Sequence, residues 1–277
     1  VQHVETVEQA SQAFDSITYS KGEAVIRMLE NYVGEDAWRD GVRKYIKAHA
    51  YGNTVSDDLW SAIDSVSGKS ITRIAHDFTL QPGIPLIRVE SAQCRDGNTV
   101  LQLSQGEFTR DRPQKQPLSW QVPVVAEVVG GDAARTVVEG GRGTRQLEGC
   151  GPVLVNAGQA GYYRTLYPAG QFGALRAAFG GLDAVDQLGL MNDVWALGMA
   201  GLQPVTDYLD IARAVPLDAE PQIWGDIAGG LATIDDYYRG DDAGQARFRA
   251  FALGILQPKF AEVGWLPAAG EEDPVKL

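Results

Sequence analysis

The sequence predicts a multidomain α+β chain, and three changes of texture along its 277 residues carry that prediction. Apolar residues recur at helical spacing over residues 1–82, short β-rich runs separated by glycine-containing turns fill 83–170, and helical spacing returns over 171–277. The implied order is a helical segment, a small antiparallel β-sandwich and an α-helical array. The length suits more than one domain, and 44% hydrophobic residues are enough to bury cores.

In the first segment Val25, Met28, Leu29 and Tyr32 fall at i, i+3, i+4 and i+7, lining one face of a helix that Gly34 stops. A second helix carries Trp38, Val42, Tyr45 and Ile46 on one side, with Lys44 and Lys47 late in it, where cations suit the helix dipole. Ser56 before Asp57-Asp58-Leu59 reads as an N-cap, and Gly68 as the C-cap of a helix bearing Leu59, Ile63 and Val66. A short helix with Ile71, Ile74 and Phe78 follows, and Gln81-Pro82-Gly83 breaks the chain.

Six strands are then expected, at 84–89, 100–103, 120–125, 135–138, 153–155 and 162–167. Asp96-Gly97-Asn98, Gly130-Gly131-Asp132 and Gly140-Gly141-Arg142-Gly143 read as turns between them. After Pro168, helices are expected near 171–179, 183–200, 204–214, 221–238 and 242–261, with stripes such as Ile223, Ile227, Leu231 and Ile234. The polar end Gly270-Glu271-Glu272-Asp273-Pro274 is expected to fray.

A formal net charge of −12, without a cluster of Lys and Arg, argues against nucleic acid as a partner. No run of about 18 apolar residues exists, so no membrane span is expected. Val1-Gln2-His3-Val4-Glu5 lacks the basic-then-apolar texture of a signal segment, and the missing initiator Met implies a processed chain or a fragment. Oligomeric state is not readable. Cys94 and Cys150 are either free and buried or joined in one long-range disulfide, so both a cytoplasmic and an exported location, periplasmic or secreted, stay open.

At Ile17-Thr18-Tyr19-Ser20-Lys21-Gly22, continuing to Met28-Leu29, the sequence resembles the Y-x-K-G helix of the M1 zinc aminopeptidases, gluzincins that include aminopeptidase N. The resemblance continues through Trp38–Tyr45, Tyr51-Gly52-Asn53-Thr54, Asp58-Leu59-Trp60 and Thr79–Pro85. It extends to Trp120-Gln121-Val122-Pro123, the run from Asn156 to Tyr167, and Leu188–Asp193. It implies that 1–82 is the helical C-terminal part of a thermolysin-like catalytic domain, 83–170 the family's sandwich domain, and 171–277 the beginning of its C-terminal helical domain. It also implies an aminopeptidase acting on peptide substrates, with zinc in the intact enzyme.

The family binds that zinc through HExxH and a further Glu, and holds the substrate's amino terminus with a GxMEN loop; neither motif occurs here. His3, His49 and His76 are scattered without the required spacing. The expectation is a downstream portion of a larger enzyme, inactive alone and binding no zinc itself. The alternative is a non-enzymatic module or degenerate paralogue built on the sandwich and the helices.

Within the resemblance, Tyr19 is the catalytic candidate. Peptide hydrolysis puts developing negative charge on the scissile carbonyl oxygen, and a neutral phenol on a rigid ring is a suitable directed donor. The remaining polar positions read as structural. Lys21 is expected to be a solvated lysine at a helix start, Tyr162-Tyr163-Arg164 to be packing, and His76-Asp77 to be a capping or surface pair. Asp235-Asp236 with Asp241-Asp242 read as a solvated face lacking calcium-loop spacing.

Overall fold

The structure of the chain, a computed structural model, describes residues 4–15, 17–112 and 114–265, so His3 and the expected frayed end at 270–274 lie outside the described residues. Among these residues the chain is mixed α/β, with ten α-helices and two small sheets. It divides into two compact units, Val1–Phe172 and Gly173–Leu277.

The first unit opens with α1 (Val7–Gln12), which the apolar pattern does not announce because it buries nothing. A capping box makes it: the Gln9 amide N–H donates to Thr6 Oγ1 at 3.2 Å, and the Thr6 N–H donates to Gln9 Oε1 at 3.1 Å. A π-helical turn, Ile17–Lys21, leads into α2 (Gly22–Val33), which buries Val25, Met28 and Leu29 and ends at Gly34 with φ 100°. In α3 (Glu35–Ala48), Gly41 lets the backbone approach α4 (Ser56–Ser67), since a Cβ there would lie 2.8 Å from the Ile63 Cα. The cap of α4 is Val55 rather than Ser56, because the Asp58 carboxylate accepts the Val55 N–H at 2.9 Å and so starts the helix one residue early. Gly68 closes α4 in the left-handed region, at φ 65°. Asp64 of α4 then accepts the Ile71 N–H at 2.6 Å and the Thr72 hydroxyl at 2.7 Å, which anchors the start of α5 (Ile71–Thr79).

Strands β1 (Ile84–Arg95) and β2 (Asn98–Phe108) form a hairpin through Asp96 and Gly97, both at positive φ, the tight connection that matches strand twist. They belong to a four-stranded sheet of order β5-β2-β1-β7, in which β5 spans Arg142–Glu148 and β7 spans Arg164–Leu166. The second sheet is β4-β3-β6, with β3 at Val122–Val128, β4 at Ala134–Val138 and β6 at Val153–Val155. Two findings correct the expected strand set. First, β5 (Arg142–Glu148) begins inside the stretch read as a turn: Gly140 and Gly141 turn, whereas Arg142 and Gly143 already pair with Ser104 and Leu103. Second, β7 (Arg164–Leu166) lies parallel to β1, where antiparallel neighbours alone are expected, because the chain comes from β6 in the other sheet and meets β1 on its free edge. Leu86, Ile87, Leu101, Leu147, Trp120, Val122, Val124 and Leu154 are buried.

Helices and sheets of this unit are tied together. Arg27 donates to the Gly158 carbonyl at 3.1 Å, Arg135 to the Asn31 side chain at 3.2 Å, and the Gln121 N–H to Asp77 at 2.7 Å. Cys94 and Cys150 form a disulfide with Cα atoms 5.4 Å apart, which selects one of the two readings left open for them. Closing 56 residues in this way constrains the unfolded chain by about 4 kcal/mol in the loop-entropy account.

Helix α6 (Ala169–Ala178) follows β7. In the second unit, α7 (Ala184–Met199), α8 (Val205–Ala214), α9 (Pro221–Tyr237) and α10 (Asp242–Val263) fall within two residues of the expected bounds. Leu190, Met191, Val194, Leu197, Tyr208, Ile211, Ile223, Ile227 and Leu231 are among its buried apolar positions. Gly230 is required where α9 meets α8, since a Cβ there would lie 2.1 Å from the Tyr208 hydroxyl. That hydroxyl donates to the Asp226 carbonyl at 3.0 Å.

Candidate active site

Tyr19 sits in the π-helical turn, not in the regular helix that follows. Its N–H donates to the Asp15 carbonyl at 3.1 Å, the Thr18 N–H reaches Asp15 Oδ1 at 2.9 Å, and the Thr18 hydroxyl bonds the Ala13 carbonyl. These bonds hold the wider turn in place; single π-turns of this kind recur at functional sites. The Tyr19 side chain is 64% exposed and its ring centroid lies 6.2 Å from that of Phe14, itself exposed. The Tyr19 ring is thus not enclosed by the described residues.

Lys21 differs from its expected state. It is half-buried, with its ammonium 5.9 Å from the centroid of the Tyr162 ring, and burial lowers its pKa from the ordinary lysine value. Tyr162 packs edge-on against Phe78, ring centroids 6.3 Å apart, and burial raises its pKa while Arg164 pulls it the other way. Tyr163 is buried. The stretch 162–164 therefore joins the sheets to the helices and, through Tyr162, shields Lys21 from water. Lys21, Gly22, Val25, Ile26, Trp60, Phe78 and Thr79 line a cleft of about 290 Å³ that the sequence reading misses. Its walls come from three helices, so only the apolar character of Trp60 and Phe78 was visible along the chain, and that reads equally as core.

Upstream of Tyr162, Asn156 adopts a left-handed conformation at φ 68°. Its carboxamide accepts the Gly161 N–H at 2.7 Å and donates to the Gly161 carbonyl at 3.2 Å, fixing the loop that delivers Tyr162. The Tyr167 hydroxyl accepts the Val155 N–H at 2.8 Å and donates to the Val155 carbonyl at 3.2 Å, fastening the other end.

The remaining polar candidates separate. His76 and Asp77 do not pair with each other: His76 Nε2 meets Asp57 at 2.7 Å, while Asp77 holds the Gln121 N–H. Asp235 takes two bonds from Arg249, at 2.8 Å each, and these hold its carboxyl below the usual range. Asp236 pairs with Arg239 at 2.8 Å, and Asp241 caps α10 by accepting the Gly244 N–H at 2.9 Å. Among the described residues no group of three or more His, Cys, Asp or Glu is placed to hold a metal ion. The donor set of a zinc site is not offered by them.

Comparison with known proteins places these residues in context. The model of the Peptidase family M1 domain matches residues 1–78, and that of the ERAP1-like C-terminal domain matches 152–276. Tricorn protease-interacting factor F2 of Thermoplasma acidophilum is 30% identical over 272 residues, 98% of this chain and 33% of the relative. Puromycin-sensitive aminopeptidase of Caenorhabditis elegans is 28% identical over 281 residues, covering 97% of this chain and 29% of its own length. Aminopeptidase M1 of Arabidopsis thaliana is 28% identical over 285 residues, covering 95% and 32% respectively. The chain thus spans about a third of the length of these relatives. Tyr19 and the cleft residues up to Phe78 lie within the first matched stretch and the helices of the second unit within the other, and with relatives aligned across nearly all of it the chain belongs to the M1 aminopeptidase family.

Proposed function

We propose that this chain is part of a zinc-dependent aminopeptidase that removes N-terminal residues from peptides, and that Tyr19 is its transition-state hydrogen-bond donor. The observation that supports it most is the exposed Tyr19 phenol on a hydrogen-bonded π-turn, inside the stretch that matches the peptidase domain. When the scissile carbonyl becomes tetrahedral, its oxygen gains charge, and a donor already oriented by the fold stabilises that state more than the ground state. Zinc, when bound in the intact enzyme, supplies Lewis-acid activation of water and carbonyl. In the same reading the helices up to Thr79 end a thermolysin-like domain, the two sheets pack as a sandwich spacer, and the helices after Pro168 begin a third, helical domain. The Cys94–Cys150 disulfide favours an oxidising, exported location.

Tyr19→Phe in the full-length protein is expected to lower kcat about 100- to 1000-fold with little change in KM, the loss typical of one oxyanion donor. Turnover within about twofold of wild type sinks the assignment. The 277-residue chain alone is expected to show no peptidase activity and no stoichiometric zinc by elemental analysis, since HExxH is absent from it. About one zinc per molecule would overturn that expectation. Coding sequence upstream of Val1 is expected to hold HExxH with a following Glu; its absence would favour the non-enzymatic module.

A further inference from the structure

The turn that carries Tyr19 is braced by the residues just before it. The Tyr19 N–H donates to the Asp15 carbonyl at 3.1 Å, and the Asp15 carboxylate reaches forward to accept the Thr18 N–H at 2.9 Å. Asp15 thus takes two successive N–H groups, one on its backbone and one on its side chain. The Thr18 hydroxyl bonds the carbonyl of Ala13, the C-cap of α1, and the Phe14 ring lies beside that of Tyr19 with the planes inclined at 42°. All these contacts run between Ala13 and Tyr19, so they belong to this stretch whatever lies against it in a longer chain.

A π-turn is wider than an α-helical one and rare, and the regular helix begins only at Gly22. The direction of Tyr19 therefore depends on the braces at its N-terminal side. A tyrosine hydroxyl sits at the far end of a rigid ring, so a small rotation of the backbone is magnified at the oxygen. Misplacing a reacting group by about 1 Å can cost on the order of 100-fold in rate. Among these braces the Asp15 side chain contributes the strongest kind of bond, since a carboxylate accepting a backbone N–H is charge-assisted and roughly twice as strong as a neutral pair.

We propose that Asp15 is a positioning residue for Tyr19: its carboxylate, with Thr18 as a strut to α1, fixes the π-turn so that the phenol is aimed at the carbonyl oxygen that gains charge. This role rests on Tyr19 being the transition-state donor. Asp15 acts through Tyr19 and does not itself meet the substrate.

The test compares Asp15→Ala, Asp15→Asn and Tyr19→Phe, singly and combined, by steady-state kinetics of the full-length protein. Asp15→Ala is expected to lower kcat about 10- to 100-fold with KM within about twofold, because a misaimed donor loses transition-state rather than ground-state binding. Asp15→Asn, whose carboxamide oxygen still accepts the Thr18 N–H without the charge, is expected to recover most of that loss. In the Tyr19→Phe background Asp15→Ala is expected to cost less than about twofold more, since no donor is left to aim. A loss of general stability would persist in that background. Asp15→Ala with kcat within about twofold of wild type, an undiminished loss on top of Tyr19→Phe, or Asp15→Asn no better than Asp15→Ala overturns the role. Should Asp15→Ala fail to fold, Thr18→Val, which keeps the side-chain shape and drops the hydroxyl, takes its place. It is expected to lower kcat severalfold alone and hardly at all beside Tyr19→Phe; the same loss in both backgrounds overturns the role. Wild-type turnover by Tyr19→Phe removes the donor and its positioning residue together, whereas loss by Tyr19→Phe with none by Asp15→Ala removes the positioning residue alone.

Discussion

Tyr19 and Lys21 stand two positions apart, yet one faces water and the other is half withdrawn from it, and that contrast shows what a sequence reveals about single residues. The sequence singles out Tyr19 because a local motif carries it. The state of Lys21 is not legible there, because Tyr162 and Phe78 make it, and neither is near in sequence. Likewise His76 and Asp77 look like a pair only along the chain; the fold gives each a different partner. Asn156 offers a test at this scale. It is 2% exposed, sits at φ 68°, and its carboxamide alone answers both backbone groups of Gly161. Asn156→Ala is expected to cost about 1–3 kcal/mol in urea unfolding, from two part-buried backbone groups of Gly161 losing their partner. Asn156→Gly removes the strain of the left-handed backbone but not the loss of bonds, so it should remain well below wild type. If the glycine variant recovers full stability, the hydrogen bonds are not what the position contributes.

At the level of elements, legibility followed burial. Helices α7, α8 and α9 were placed to within two residues because each buries apolar side chains at helical spacing, whereas α10 buries only Gly244 and Phe248. Helix α1 buries none, and only Thr6 and Gln9 at capping-box spacing could have announced it. Strand β5 hid for a related reason: Leu147 is its one buried residue, so the alternation that marks a half-buried strand is missing, and two glycines before it read as a turn. The parallel pairing of three-residue β7 depends on which edge the returning chain meets, and no local pattern encodes that. Within α9 a matched pair of substitutions separates helix propensity from packing. Nothing lies within 4 Å of a Cβ added at Gly225, so Gly225→Ala is expected to stabilise by about 0.5–1 kcal/mol. Gly230→Ala, which would press into the Tyr208 ring, is expected to destabilise by about 1–3 kcal/mol. Thermal unfolding of the two variants reads the sign directly; the same sign for both would mean that α9 and α8 do not meet as closely as described.

Across the whole molecule, the order of textures and the family were legible because they are spread over many residues, no one of which decides them. The disulfide was legible only as one of two options, since two cysteines 56 residues apart meet or miss according to how a hairpin end and a sheet corner are arranged. Its placement also governs what a protease can accomplish. The covalent ring from Cys94 to Cys150 encloses the connection between β2 and β3, where Arg110 is exposed. Limited trypsin digestion cutting after Arg110 is expected to give one band near the intact 29.9 kDa on a gel run without reductant and two when thiol is added. Two bands without reductant would mean that the ring is open. A chain threaded this way can lose its linear continuity and keep its connectivity, so a nick that would split an ordinary two-unit protein leaves this one as a single covalent object.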